Sequence, residues 1–237
     1  MGRPALWRDI AQTLSVEIAT GLYNPGDKLP TEAALSARFG VNRHTVRQAL
    51  GDMATQGLVR ARRGAGVFVA AQPTDYALGR RTRFHQNVTA SGRAPSRRYT
   101  RMETRAADPR EAAGLALTPG APVHVIEGQS LIDGQVVAVF RSVFDATRLP
   151  NLPGAIETLQ SVTSALSACG VADYTRASTR ITAKLAKGTL ALALELPEGA
   201  PLLRSDAVNI DAQGVPVELG RTWFAGDRIT LTLAPEV

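Results

Sequence analysis

The sequence predicts an α+β chain in two parts: a small helical head ending in a β-hairpin (residues 1–72), and a mixed domain of antiparallel sheet and helices (residues 82–237). Residues 73–81 are expected to link them. Three observations carry this. Apolar residues recur at helical spacing up to Met53, and short alternating strands follow. Periodicity is then lost over 70–82, where Pro73 and Gly79 stand. Beyond it the chain repeats itself: LALTPGAPVHV at 115–125 matches LELPEGAPLLR at 194–204, offset by 79.

In the head, Leu6, Ile10, Leu14 and Ile18 fall four apart, so residues 4–20 read as an amphipathic helix with Pro4 in its first turn and Gly21 closing it. Tyr23 to Asp27 is a turn. Thr31 can cap a second helix, which ends where Gly40 tolerates a left-handed backbone. Asn42 caps a third, placing Arg43, His44 and Thr45 in its first turn and Arg47 one turn on. Val46, Ala49, Leu50 and Met53 form the stripe that packs this helix down. Residues 58–61 and 67–69 alternate as two strands around the tip Arg62-Arg63-Gly64-Ala65-Gly66, whose glycines allow close approach to a phosphate backbone. The pattern is a winged helix-turn-helix, with the third helix entering the major groove. Thr31, Asn42, Arg43, His44, Thr45, Arg47, Arg62, Arg63, Gly64 and Gly66 are its candidate DNA contacts.

Charge agrees in sign and place. Residues 1–110 hold 18 Lys/Arg against 8 Asp/Glu, and residues 111–237 hold 9 against 13, so the net +6 comes from the half with the motif. The apolar runs are too short to span a bilayer and no signal-peptide core is visible, so a cytoplasmic protein without a membrane partner is expected. The single cysteine, Cys169, excludes an internal disulfide and reads as a small buried filler.

In the second domain, segments 110–117 and 188–196 read as short helices. Each is followed by a strand, a turn and a return strand, Val137–Phe144 and Val217–Phe224. The duplication predicts two related halves in one antiparallel sheet with helices on one face, plus an additional helix over 154–168. Eight Arg and one acid lie between Arg80 and Arg105. Arg97, Arg98 and Arg101 sit in or beside a strand and can simply face water. Thr82-Arg83-Phe84 opens a helix running to Ser91 and could offer a hydroxyl, amides and a guanidinium to one phosphate or phosphonate group. Arg141-Ser142 and Arg221-Thr222 could converge on it from the sheet.

The string LPTEAALSARFGVNRHTVRQAL resembles the winged helix-turn-helix of the GntR superfamily of bacterial transcription regulators, over residues 4–69. Where that family often has an arginine after the LP(S/T)E stretch, this chain has Ala33, so that contact is not carried over. RTRFHQNVTASGR and GVPVE-x-x-R-x-WFAGDR make the second domain similar to the ligand-sensing domain of the HutC subfamily, which shares its fold with chorismate lyase. YALGRRTRF and NRHTVRQAL are most similar to the branch that regulates phosphonate metabolism. The resemblance implies an effector pocket lined by Thr82, Arg83, Phe84 and Arg141, with Glu218 a recurrent acid that binds ligand or holds an arginine. Ser142, Arg180 and Arg221 complete the candidate effector residues. A homodimeric repressor responsive to a small anionic metabolite, with no cofactor or metal, is expected, on palindromic operator half-sites because a single half-site gives little specificity.

An enzyme is the alternative, since the second domain resembles a lyase fold, but fold does not fix chemistry. His44, His85 and His124 are scattered, and no nucleophile triad, H-E-x-x-H string or Cys/His metal spacing occurs. A sensor of sugar phosphates or other small acids on the same scaffold is the nearer competing expectation.

Overall fold

The computed structural model describes residues 6–62, 64–70 and 73–233, leaving the Arg62 side chain aside. The chain divides into two compact units, residues 1–72 and 73–237.

The first unit is α1 (Leu6–Ala19), α2 (Glu32–Phe39), α3 (Arg43–Thr55) and an antiparallel hairpin of β1 (Val59–Arg62) and β2 (Gly66–Val69). Its caps form as the residue types dictate. The Thr31 hydroxyl accepts from Ala34 N at 3.2 Å, and Asn42 Oδ1 accepts from Thr45 N at 2.9 Å. Gly40, at φ 64°, turns the chain between α2 and α3 in the left-handed region that a side chain would strain. Val46, Ala49, Leu50 and Met53 are buried as the stripe requires, against Ile10, Leu14 and Leu35. Each large apolar side chain so buried contributes roughly 1.5–3 kcal/mol, far more than the caps at about 1 kcal/mol each, so packing sets the orientation of α3. The expected placement of Pro4 in the first turn lies outside the described residues.

The second unit is built on a six-stranded antiparallel sheet in the order β4-β5-β6-β9-β8-β7. Its strands are β4 (Pro95–Ala106), β5 (Pro122–Ile132), β6 (Gln135–Asp145), β7 (Thr175–Leu185), β8 (Pro201–Ile210) and β9 (Pro216–Ala225). The duplication is visible in space. β4-α5-β5-β6 and β7-α8-β8-β9, with α5 Pro109–Leu115 and α8 Gly188–Ala193, meet along β6 and β9, where Arg141 lies opposite Arg221 and Ser142 opposite Gly220.

Three expectations are corrected. Helices cover both faces of the sheet, not one. α6 (Leu152–Leu159) and α7 (Val162–Ala168) pack over Ile126, Phe140 and Phe144, whereas α5 packs over Val123, Val125 and Val143, and α8 over Leu131, Val136 and Leu202. The reason is in β5: both of its alternating sets of residues carry apolar side chains, so each face needs a cover. The single helix expected over 154–168 is α6 and α7. Gln160 takes φ 51° and Ser161 starts a new helix by accepting from Ser164 N, while the apolar stripe runs on through the break and conceals it. Residues 73–81 are not a plain linker. β3 (Thr74–Ala77) pairs in parallel with β10 (Ile229–Thr232), and Tyr76 and Leu78 are buried in a cluster with Phe84, α4 (Phe84–Ala90) and Phe224. Two four-residue strands far apart in sequence are too short to register as periodicity.

Candidate DNA interface and effector cavity

In the first unit, Arg43, His44 and Arg47 are exposed along one side of α3. Thr31 and Asn42 accept capping bonds with their side-chain oxygens, and the Thr45 hydroxyl donates to Asn42 Oδ1 at 3.0 Å, so these three hold the starts of α2 and α3. Arg47 forms a two-pronged pair with Glu32: Nε donates to Oε1 at 3.1 Å and Nη2 to Oε2 at 2.7 Å. That bond holds the Glu32 carboxyl below its usual range, with Arg43 adding to the effect. At the hairpin tip, Gly64 and Gly66 have φ 74° and 115°; the Arg62 side chain and Arg63 lie outside the described residues. Sequence reasoning missed two exposed neighbours. Gln48 follows Arg47 on α3, and Lys28 lies against the tip, its Cε 2.7 Å from where a side chain on Gly66 would begin.

In the second unit a cavity opens between α4, α7 and the centre of the sheet. Of the candidate effector residues, Thr82, Arg83, Phe84, Ser142 and Glu218 line it. Arg141, Arg221 and Arg180 do not. Side chains alternate along a strand, so Ser142 and Gly220 share the cavity face and their neighbours Arg141 and Arg221 point to the other. There Arg141 Nη2 donates to Glu111 Oε1 at 2.8 Å, and Arg221 pairs with Asp206. Arg180 is exposed on edge strand β7, opposite Asp206.

The residues that take their place are Arg97 and Arg176. Arg97 lies over the Phe140 ring at 4.4 Å and the Phe84 ring at 5.5 Å, a stacked placement that a guanidinium favours. Gly128 makes this floor possible: a side chain there would begin 2.8 Å from Phe140 Cζ and 2.5 Å from the Arg98 carbonyl oxygen. Arg83 is 8% exposed, lies over Tyr174 at 4.3 Å and donates from Nη2 to Asp173 Oδ1 at 2.6 Å. Hydrogen bonds from Arg81, and then from Tyr174 N and Arg83, hold the Asp173 carboxyl at about 2. The other prong of Arg83, Nη1, is buried without a hydrogen-bond partner, and so is Arg97 Nε. Buried donors left unpaired are costly, so an acceptor placed against them would be favoured. Burial, and then the field of Arg97, lowers the pKa of His85, which favours its neutral form. Arg97 alternates with Arg98 along β4, and nothing in that alternation told which face was covered.

A helix-turn-helix head joined in one chain to a domain with an arginine-lined cavity defines a one-component DNA-binding transcription regulator. The chain belongs to the gntR family of bacterial regulatory proteins, whose model matches residues 6–69, in the branch carrying a UTRA domain, which matches residues 90–230. It is 32% identical to the transcriptional regulator PhnF of Escherichia coli over 237 residues (97% of this chain, 95% of that one). It is 30% identical to the HTH-type transcriptional repressor PhnF of Mycolicibacterium smegmatis over 207 residues, covering 87% of this chain and 84% of the relative. The crystal structure of PhnF from Mycobacterium smegmatis superposes with a TM-score of 0.67 at 28% identity, covering 96% of this chain and 99% of that one. These relatives are regulators, and this chain is a regulator and not an enzyme. Among the described residues no helix is long and apolar enough to cross a membrane.

Proposed function

We propose that this regulator is a homodimeric repressor that binds palindromic half-sites through α3 and the hairpin tip, and that a small phosphonate or phosphate compound in the second unit's cavity changes its affinity for DNA. The observation that carries the effector reading is the pair of unpaired buried donors, Arg83 Nη1 and Arg97 Nε, at the wall of one cavity. Arginine forks suit tetrahedral anions because several N–H groups meet several oxygens at once. The similarity to two proteins named PhnF supports the same reading, and the repressor among them supports the sign. Paired half-sites are expected because one winged head reads too few bases to be specific.

On the DNA side, Arg43, His44 and Arg47 would read base edges, while the arginines of the tip would position the wing on phosphates. Arg47→Ala is expected to weaken operator binding by roughly 1–3 kcal/mol, read by fluorescence anisotropy against a duplex selected from a random pool by the wild-type chain. Unchanged affinity would remove Arg47 from the reading surface and leave it as a partner of Glu32 alone.

On the effector side, thermal unfolding of the full chain with inorganic phosphate, methylphosphonate and sugar phosphates is the direct test. A ligand at a hundred times its dissociation constant stabilises the state that binds it by about 2.7 kcal/mol. Arg97→Gln is expected to abolish the shift. A shift with sugar phosphates alone would keep the repressor and discard the phosphonate assignment.

A further inference from the structure

Both charges line the cavity. Its arginine pole is Arg83 and Arg97, each with one buried N–H that meets no hydrogen-bond partner (Arg83 Nη1 and Arg97 Nε), and its acidic pole is Glu218. Carboxylates in a cationic pocket ordinarily collapse onto an arginine, and this one does not: among the described residues no Lys, Arg or His lies within ion-pair distance of Glu218.

Asn209 keeps the charges apart. Its Oδ1 accepts from Arg176 Nε at 3.3 Å, and its Nδ2 donates to Glu218 Oε2 at 2.7 Å. The amide thus satisfies an arginine with one end and the carboxylate with the other, where direct contact would have neutralised both. The Ser142 hydroxyl donates to the second oxygen, Oε1. Both of these donors are neutral, and both sit on buried residues of the sheet, Ser142 on β6 and Asn209 on β8. Glu218 is therefore held in place by neutral donors, without a direct ion pair. Each of its oxygens has taken one hydrogen bond and has acceptor capacity left.

We infer that the ligand is dipolar: a phosphonate or phosphate group at the arginine pole, and a protonated amine at Glu218. A simple oxyanion fits only half of the site, because it leaves the carboxylate facing the cavity unpaired. A hydroxyl would give Glu218 a hydrogen bond without compensating its charge, whereas an ammonium does both. This rests on the reading of the arginine pole as an anion site, and Glu218 adds a selectivity that the arginines cannot supply.

The test is calorimetric binding to the full chain of 2-aminoethyl- and 3-aminopropylphosphonate, each against its amine-free counterpart, ethyl- or propylphosphonate. The wild type is expected to bind at least one amine at least tenfold more tightly than its counterpart. Glu218→Gln should bring that pair to within about threefold by weakening the amine only, and Arg97→Gln should weaken both members. Equal binding of the amine and amine-free compounds by the wild type would overturn the dipolar ligand and leave the anion site standing. So would a Glu218→Gln variant that retains the preference. Tighter binding of a hydroxylated phosphate such as glucose 6-phosphate than of either amine would overturn the ammonium in favour of a hydroxyl donor. If no phosphonate or phosphate binds at all, the anion site itself falls, and the dipolar ligand with it.

Discussion

Glu111→Ala is expected to destabilise the second unit by about 2–3 kcal/mol at neutral pH, and by progressively less as the solution is acidified. Glu111 is 4% exposed and accepts four hydrogen bonds: from Arg105 Nη1 at 2.8 Å and Nη2 at 2.7 Å, from Arg141 Nη2 at 2.8 Å, and from Asp108 N at 2.9 Å. The last closes a capping box with Asp108 at the start of α5. The Arg105 bonds above all hold the carboxyl at about 2, against 4.5 for the free group. At 1.36 kcal/mol per pH unit that difference corresponds to about 3 kcal/mol, reduced because both arginines are about a third exposed. The sign follows from a lowered folded-state value. The contribution is fully present above about pH 4.5 and is lost as pH falls toward 2. Urea unfolding of wild type and variant at pH 7 and pH 3 reads it: the gap should be wide at pH 7 and narrower at pH 3. An equal gap at both would show that Glu111 acts by packing and not by charge.

The same network explains why Arg141 reads so plausibly as an effector ligand in the sequence and is not in the cavity. Its strand, its neighbour Ser142 and its repeat Arg221 are all visible in the chain, but one residue of register decides the face. Phe140, Ser142 and Phe144 form the set under the cavity and α6–α7, and Arg141 and Val143 the set under α5. The helix-turn-helix is legible almost residue by residue, because caps, a turn glycine and an apolar stripe are all local signals: Thr31, Gly40, Asn42 and Met53 each do what their neighbours require. The cavity is legible at Thr82–Phe84, where the signal is local, and at Ser142 and Glu218 on the two return strands of the repeat. Arg97, Arg176 and Asn209 come to it from strands whose pairing is set by contacts far away in the chain, and no spacing within one strand could have named them. The parallel pairing of β3 with β10 is the extreme case, with about 150 residues between partners such as Thr74 and Ile229.

Arg228→Met is expected to cost the second unit about 3–4 kcal/mol. Its side chain is 8% exposed and ties the end of the chain to two distant segments. Nη1 donates to the Val136 and Leu194 carbonyls, the latter at 2.8 Å, and Nη2 to the Glu195 carbonyl at 3.0 Å. Leu194 is the C-cap of α8, so the guanidinium serves both as a hydrogen-bond donor and as a positive charge at the negative end of the helix. Methionine fills much of the same volume and donates nothing, which leaves buried carbonyls unpaired at about 1–3 kcal/mol each, less whatever water reaches Glu195. Arg228→Lys should recover part of the loss. A urea midpoint for the methionine variant within 1 kcal/mol of wild type would mean that these carbonyls find other partners.

Occupancy of the cavity of Arg83 and Arg97 is expected to be read out as a change in affinity for DNA. A ligand can produce that change only through different affinities for the DNA-bound and free arrangements, so the quantity to measure is a ratio. We would titrate the full chain against its selected duplex by fluorescence anisotropy, with and without a saturating phosphonate, in wild type and in Arg97→Gln. A change of at least fivefold is expected in the wild type, and none in the variant at the same phosphonate concentration. A variant that responds as the wild type does would contradict it.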